Sequence, residues 1–320
     1  MGVLGIEYNA AMENEFIRWV RERIPAHPQL LLGPGDDAAV LRLADRANLV
    51  VTTDMLMDGV DFKLAECDPR RAGRKALAVN LSDLAAMAAR PIACVVSVAL
   101  PRRGGETLAR ELYEGLLPLA VEFETALAGG DTNSWDSPLA ISVTAFGQVE
   151  AGREWRRSGA RAGDWILVTG SFGGSILGKH FDFVPRVREA LFLAEHYEIR
   201  AAMDVSDGLS LDLSRLVAES NCGAVLDLAA IPIAPVAEQL SRELSDGCTA
   251  LDHALADGED FELILAVAPA VAQRLLAEQP LAVLLSCVGR FIEQPGLWME
   301  TQGGTLQPLV PRGYEHRLES

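Results

Sequence analysis

The sequence predicts an α/β fold in two halves, and three observations carry that expectation. Strand-like and helix-like runs alternate along the whole chain. A polar stretch, Glu150–Gly163 (EAGREWRRSGARAG), follows one strand-like run and precedes another, dividing the chain into 1–150 and 151–320. The 320 residues are 49% hydrophobic and 23% charged, which suits packed cores and not a disordered chain.

Taken in order, Leu49–Thr53, Ile92–Leu100, Ala140–Val149, Trp165–Thr169, Ala224–Leu228, Phe261–Ala268 and Ala282–Val288 are β-branched or apolar runs. Each is bounded by Gly, Pro or Asp, so each is expected as a strand. Arg74–Ala89 places Leu77, Leu81, Leu84, Ala85 and Ala88 at helical spacing. Glu106–Leu127 is a second helical region, expected to bend or break at Pro118, which lacks a backbone donor. Leu209, Leu213, Leu216 and Val217 form the stripe of a third helix over Leu209–Ser220, with Asn221 and Gly223 as its stop. Two α/β halves leave a cleft between them, a common place for a small-molecule site.

Charge narrows the function classes. Against 28 Lys and Arg stand 45 Asp and Glu, a net charge of −17 with no basic run. Binding nucleic acid through its phosphates needs a basic face, so no such partner is expected. An acidic protein can still hold phosphates if metal ions lie between. The N-terminus carries Glu7, Glu13 and Glu15 and lacks a signal pattern. Ile92–Leu100, the longest obvious apolar stretch, is too short to cross a bilayer as a helix. The five cysteines are scattered without a CxxC pair, which reads as reduced thiols. A soluble cytoplasmic protein with no membrane partner is expected.

The placement of the carboxylates is informative. Many Asp residues sit beside Gly or Ser at the ends of apolar runs: Gly35-Asp36-Asp37, Thr52-Thr53-Asp54, Ser82-Asp83, Gly129-Gly130-Asp131-Thr132, Asp204-Val205-Ser206-Asp207-Gly208 and Gly258-Glu259-Asp260. Short acidic side chains on turns can converge on one point, and Mg²⁺ takes a near-octahedral shell of oxygens. Glycines let phosphate oxygens approach the backbone. The pattern points to several Mg²⁺ ions holding a polyphosphate. The competing reading is that each Asp caps a helix or closes a turn, as Ser206 or Asp207 could before the Leu209 helix. Asp83 resists that reading. It falls mid-helix, where Asp has poor propensity, with Asn80 on the same face.

Gly173–His180 (GGSILGKH) nearly matches the P-loop pattern, but His180 stands where the Mg²⁺-binding hydroxyl belongs, leaving Lys179 as a solvated or substrate-proximal lysine. Ser175 lies in no GxSxG elbow. His27, His180, His196, His253 and His316 show no zinc spacing. Trp135 and Trp298 read as exposed loop residues in preference to base-stacking platforms.

As a set, GPGDDAAV (Gly33–Val40), TTDMLMDGVDF (Thr52–Phe62), KALAVNLSDLAAMAA (Lys75–Ala89), GGDT (Gly129–Thr132), RSGARAGDWILVTG (Arg157–Gly170), MDVSDGLSLDL (Met203–Leu213) and GEDFEL (Gly258–Leu263) have a recognisable order. With their spacing, the chain resembles the thiamine-monophosphate kinase family, of the superfamily that includes aminoimidazole-ribonucleotide synthetase and selenophosphate synthetase. The resemblance runs from Gly33 to Tyr314. It implies an aminoimidazole-ribonucleotide synthetase-like fold of two domains. Residues 1–150 would form the N-terminal ATP/metal-binding and dimerisation domain, building a β-barrel in a homodimer, and 151–320 the C-terminal α/β domain.

The same resemblance implies ATP-dependent phosphorylation of thiamine monophosphate to thiamine diphosphate, with several Mg²⁺ ions. Carried onto the matching positions, metal ligands fall on Asp37, Thr52, Thr53, Asp54, Asp83, Asp131, Asp204 and Asp207, with Asp83 and Asp207 expected to weigh most in catalysis. Nucleotide contacts fall on Gly130, Asp131, Arg157 and Ser206, and acceptor contacts on Asp61, Glu259 and Tyr314. Two departures touch the acceptor side. Asp61 stands where the family usually has His, and His180–Arg186 (HFDFVPR) has Asp182 and Phe183 where HLRPxPR has Arg and Pro. Two alternatives stay open: another ATP-dependent enzyme of the superfamily with a different acceptor, and a non-catalytic nucleotide-binding homologue. The lack of Cys in the Gly-rich N-terminal segment speaks against selenophosphate synthetase. The end GYEHRLES lacks the cysteine-ending tail of the hydrogenase-maturation relatives.

Overall fold

Strand alternation in the first half decides which side chains reach the site. The strands are β1 (Leu30–Leu32), β2 (Ala39–Ala44), β3 (Ala47–Met57), β4 (Arg90–Pro101), β5 (Ala126–Trp135) and β6 (Ala140–Glu150), forming one six-stranded sheet in the order β1-β2-β3-β6-β4-β5. The computed structural model describes residues 30–32, 36–44, 46–244, 247–300 and 304–315. Gly33–Gly35 of the first motif, His27 and His316 lie outside the described residues. β3 runs antiparallel to β6 from Ala47↔Glu150 to Met57↔Ala140. Its period of two buries Asn48, Val50, Thr52 and Leu56 and exposes Thr53, Met55 and Met57.

The buried face is covered by α1 (Pro69–Ala86), which opens on Asp68 accepting the Arg70 N–H at 2.9 Å, with Pro69 in the first turn. α2 (Gly105–Glu122) packs across α1 at very short range. A Cβ on Gly73 would lie 1.9 Å from the Leu112 carbonyl oxygen, and one on Gly115 1.8 Å from that of Arg70. Only glycine fits at these two points.

α2 differs from the expected Glu106–Leu127 helix. Pro118 stays inside it, on an exposed side where the Glu114 carbonyl, deprived of its donor, can be hydrated. The helix stops at Glu122, and Ala126 and Leu127 open β5, where GGDT lies. All ten residues of β5 are exposed, so it carries no burial pattern, and it is held along one edge by the parallel ladder to β4. Among the described residues the sheet is open and does not close into a barrel.

The second half contains β7 (Trp165–Thr169), α3 (Lys179–Asp182), α4 (Val187–His196), β8 (Ala201–Asp204), α5 (Leu209–Glu219), β9 (Gly223–Leu226), α6 (Pro235–Glu243) and α7 (Ala250–Ala256). β10 (Leu263–Val267), α8 (Pro269–Glu278), β11 (Leu285–Ile292), β12 (Gly296–Glu300) and β13 (Leu306–Pro308) follow. The sheet is seven-stranded, in the order β13-β12-β9-β11-β7-β10-β8. Alternation splits its side chains between two cores. Leu167, Ala202, Leu263 and Leu265 join the core of α1 and the first sheet, while Ile166, Val168, Met203, Ile264 and Ala266 enter a second core with α5 and α7. The two halves therefore share one apolar core, which fixes their relative placement.

The expected strand Phe261–Ala268 is shortened because Glu259 and Phe261 adopt left-handed backbone, φ +64° and +51°. Trp135 and Trp298 are strand residues rather than loop residues, their indole N–H groups donating to the carbonyls of Pro138 and Pro295 at 2.8 and 3.1 Å. Among the described residues no helix is long and apolar enough to cross a membrane.

Candidate active site

Three chain segments bring carboxylates together. Asp37 precedes β2, Asp83 lies near the end of α1 and Asp204 ends β8, and one oxygen of each lies within 4.8 Å of the others. Asp83 accepts a hydrogen bond from Thr52, and Asp204 accepts one from Ser82 at 2.5 Å. Arg157 grips Asp37 in a fork, Nη2 to Oδ1 at 2.7 Å and Nε to Oδ2 at 3.2 Å, while its backbone N–H donates to Asp36 at 3.0 Å.

Among the described residues no Lys or Arg forms an ion pair with Asp54, Asp83 or Asp204. Burial pushes the Asp83 carboxyl well above the usual carboxylate range, and the nearby charges of Asp54, Asp204 and Asp37 push it further. Burial likewise lifts Asp204 well above that range, with Asp37 adding. Asp54 is pushed up to about 6 by burial, with Asp207 and Asp61 adding, against a hydrogen bond with Asp83 that lowers it. Among the described residues Asp54 Oδ2 and Asp204 Oδ1 are buried without a hydrogen-bond partner. An all-oxygen set with orphaned acceptors and surplus negative charge fits a hard divalent cation such as Mg²⁺.

Asp207 is not a helix cap. The turn into α5 is closed from inside the helix, where Asp212 Oδ2 accepts the N–H groups of Asp207 and Gly208 at 2.8 and 3.1 Å. Arg215 pairs with both Asp207 and Asp212. Ser206 offers its carbonyl to the Glu259 N–H at 2.6 Å, stitching this turn to the GED turn. Tyr314, half exposed, donates its backbone N–H to the Asp207 carbonyl at 2.9 Å.

Other expected site residues are placed differently. The Thr53 hydroxyl lies on the exposed face of β3, donating to the Val143 carbonyl at 3.2 Å and accepting from Thr144 at 2.9 Å. Alternation keeps it from the carboxylates that Thr52 reaches. Asp131 is exposed on β5, outside the buried group, and beside it Gly130 leaves no room for a Cβ, which would sit 1.9 Å from the Val96 carbonyl oxygen. The Asp61 carboxylate accepts the Met57 N–H at 2.6 Å, and Glu259 is paired with Lys75 and His180. Lys75, Asp212 and Arg215 were not expected here. For Lys75 the one available signal is a cation opening the otherwise apolar KALAVNL run.

The GGSILGK segment is occupied by the chain's own carboxylates. The N–H groups of Gly173 and Gly174 donate to Asp260 and Asp257 at 2.8 and 2.7 Å. Lys179, partly buried, lies 3.2 Å from Asp260 and 3.3 Å from Glu262. Burial raises the Asp260 carboxyl to about 6, against Lys179 and the Gly173 N–H, which lower it. The folded state then holds this proton more tightly than the unfolded state, so stability is lost as pH rises from about 4 through 6. Urea melts at the two ends of that window should show wild type losing about 2–3 kcal/mol more than Asp260→Asn. Equal losses would remove Asp260 from the pH dependence.

Comparison with known proteins agrees with this geometry. Residues 35–149 match the AIR synthase related protein N-terminal domain, and residues 161–297 match the corresponding C-terminal domain. The thiamine-monophosphate kinase of Rhodopirellula baltica is 42% identical over 312 residues, covering 95% of this chain and 97% of that one. The solved thiamine-monophosphate kinase of Stenotrophomonas maltophilia K279a is 35% identical, with a TM-score of 0.70 over 92% of this chain and 96% of its own. The structure of AaThiL complexed with AMPPCP and TMP is 23% identical and shares the fold, with a TM-score of 0.83 over 98% and 100% of the two chains. Similarity of this extent across both halves, together with the convergent carboxylates, places the chain in the thiamine-monophosphate kinase family of the AIR synthase related proteins.

Proposed function

We propose that the protein transfers the γ-phosphoryl group of ATP to thiamine monophosphate in the cytoplasm, giving thiamine diphosphate and ADP. The observation that carries this reading is the convergence of Asp37, Asp83 and Asp204, the last two without an ion pair, beside Arg157. The AaThiL neighbour, complexed with AMPPCP and TMP, supports a crevice that takes a nucleotide and the acceptor together.

The acceptor oxygen belongs to a phosphate and is already anionic near neutral pH, so direct in-line transfer needs no strong general base. The obstacle is one anion attacking another. Mg²⁺ ions, when bound, would reduce that repulsion and offset charge on the transferring group. Asp37, Thr52, Asp54, Asp83, Asp131, Asp204 and Asp207 would hold them, with the Thr53 hydroxyl left out because it is committed to the other face. Arg157 would neutralise part of the nucleotide charge, with Gly130, Asp131 and Ser206 as further nucleotide contacts. Asp61, Glu259 and Tyr314 would bound the acceptor.

The division at residue 150 belongs to the same reading, with dimerisation and most of the ATP/metal site in 1–150, and Arg157, Asp204, Ser206 and Asp207 completing that site from 151–320. So does a homodimer. Among the described residues the ten exposed residues of β5 form an unpaired sheet edge that pairing two N-terminal sheets into a barrel would cover.

Incubating the protein with ATP, Mg²⁺ and thiamine monophosphate should yield thiamine diphosphate and ADP in equal amounts, read by chromatography. ADP formed without thiamine diphosphate would point to a different acceptor. Nucleotide binding without turnover would leave a non-catalytic homologue.

A further inference from the structure

Lys75 is fully buried, and nothing above gives it a role. Taking an ammonium out of water costs several kcal/mol unless each proton finds a partner, so its surroundings explain why it is there. Nζ donates to the Asp61 carbonyl oxygen at 2.8 Å and lies 2.6 Å from Glu259 Oε1 and 3.0 Å from His180 Nδ1. The second Glu259 oxygen is 3.1 Å from the same His180 nitrogen. One ammonium thus ties together two segments expected to meet the acceptor, the turn holding Asp61 and the loop holding Glu259.

Glu259 is fixed from both ends. Its backbone sits at φ +64°, a conformation unfavourable for a residue with a side chain. Its carboxyl stays below the usual range although burial works to raise it, because His180 and Lys75 stabilise the charged form. The Glu259 side chain is 29% exposed and Lys75 not at all. A ligand can touch the carboxylate, while the lysine can act only through it.

We infer that Lys75 is a positioning residue for acceptor recognition, its ammonium holding the Glu259 carboxylate and the Asp61 turn in one fixed arrangement. The inference rests on the assignment of Asp61 and Glu259 to the acceptor proposed above. A purely structural lysine would do no more than fasten the two halves. Its sequence neighbour on the same helix, Arg74, does that by donating to the carbonyls of Phe181 and Phe183 at 2.8 and 2.7 Å. Arg74 therefore serves as the control.

The test is steady-state kinetics of the full chain, varying thiamine monophosphate and ATP in turn, for Lys75→Met, Glu259→Gln, the double variant and Arg74→Met. Each of the first two should raise the acceptor KM about tenfold while the ATP KM moves less than about threefold. The double variant should be no worse than the poorer single variant, because residues acting as one unit are not additive. Arg74→Met should lower the melting temperature and leave the acceptor KM within about twofold.

If Lys75→Met does not fold, the double variant, which leaves no unpaired buried charge, is compared with Glu259→Gln alone, and its acceptor KM should not rise further. A further tenfold rise, or equal rises in both KM values, would overturn the inference while leaving the kinase reading intact. A wild type that forms no thiamine diphosphate would overturn both.

Discussion

Asp83→Asn should lower kcat on the order of 10³-fold, about 4 kcal/mol of lost transition-state stabilisation, and leave the metal-free protein at least as stable as wild type. The two outcomes share one cause. Among the described residues Asp83 lies beside Asp37, Asp54 and Asp204 with no cationic partner, so its charge is a burden on the empty fold. An amide has nearly the same shape, keeps an oxygen for the Thr52 hydroxyl and removes one of the repelling charges. The same substitution withdraws a ligand from the proposed Mg²⁺ set. Melting curves in EDTA and in Mg²⁺ would separate the effects. Wild type should gain stability with Mg²⁺, and the variant should gain little. Wild-type rates at limiting Mg²⁺ would end the metal-cluster account.

Arg157→Met should act in the opposite sense on stability. Here the carboxylate has a partner, with Asp37 1% and Arg157 18% exposed in their side chains, and removing the guanidinium strands a buried anion. A loss of about 3–5 kcal/mol is expected in urea unfolding, together with weaker nucleotide binding. Adding Asp37→Asn should restore much of the stability, since the stranded charge is gone, without restoring turnover. A single variant as stable as wild type would mean that Asp37 finds another cation or is protonated at little cost. The contrast between Asp83 and Arg157 distinguishes carboxylates the fold neutralises itself from those it leaves for a ligand.

Much of the fold was legible because its signals are local. Trp165–Thr169 is a strand over the residues its apolar run marked, and α5 begins at Leu209, where its stripe begins. β5 was missed for a physical reason. With all ten residues exposed it has no alternation of burial, and its glycines have no strand preference; it is a strand because β4 supplies the ladder. Pro118 was expected to bend or break its helix and does not break it, because its position faces water.

By itself the sequence determined the α/β alternation and the supply of Asp, Gly and Thr from which a phosphate and metal site can be built, since periodicity and turn chemistry act over a few residues. The tertiary structure decided which of those groups meet. Ser82 and Asp204, 122 positions apart, are hydrogen-bonded, and Lys75 reaches His180 across 105. It also turned the Thr53 hydroxyl away from the face that Thr52 serves. Burial and opposing charge depend on how the two sheets pack around α1, and no short window of sequence contains that arrangement.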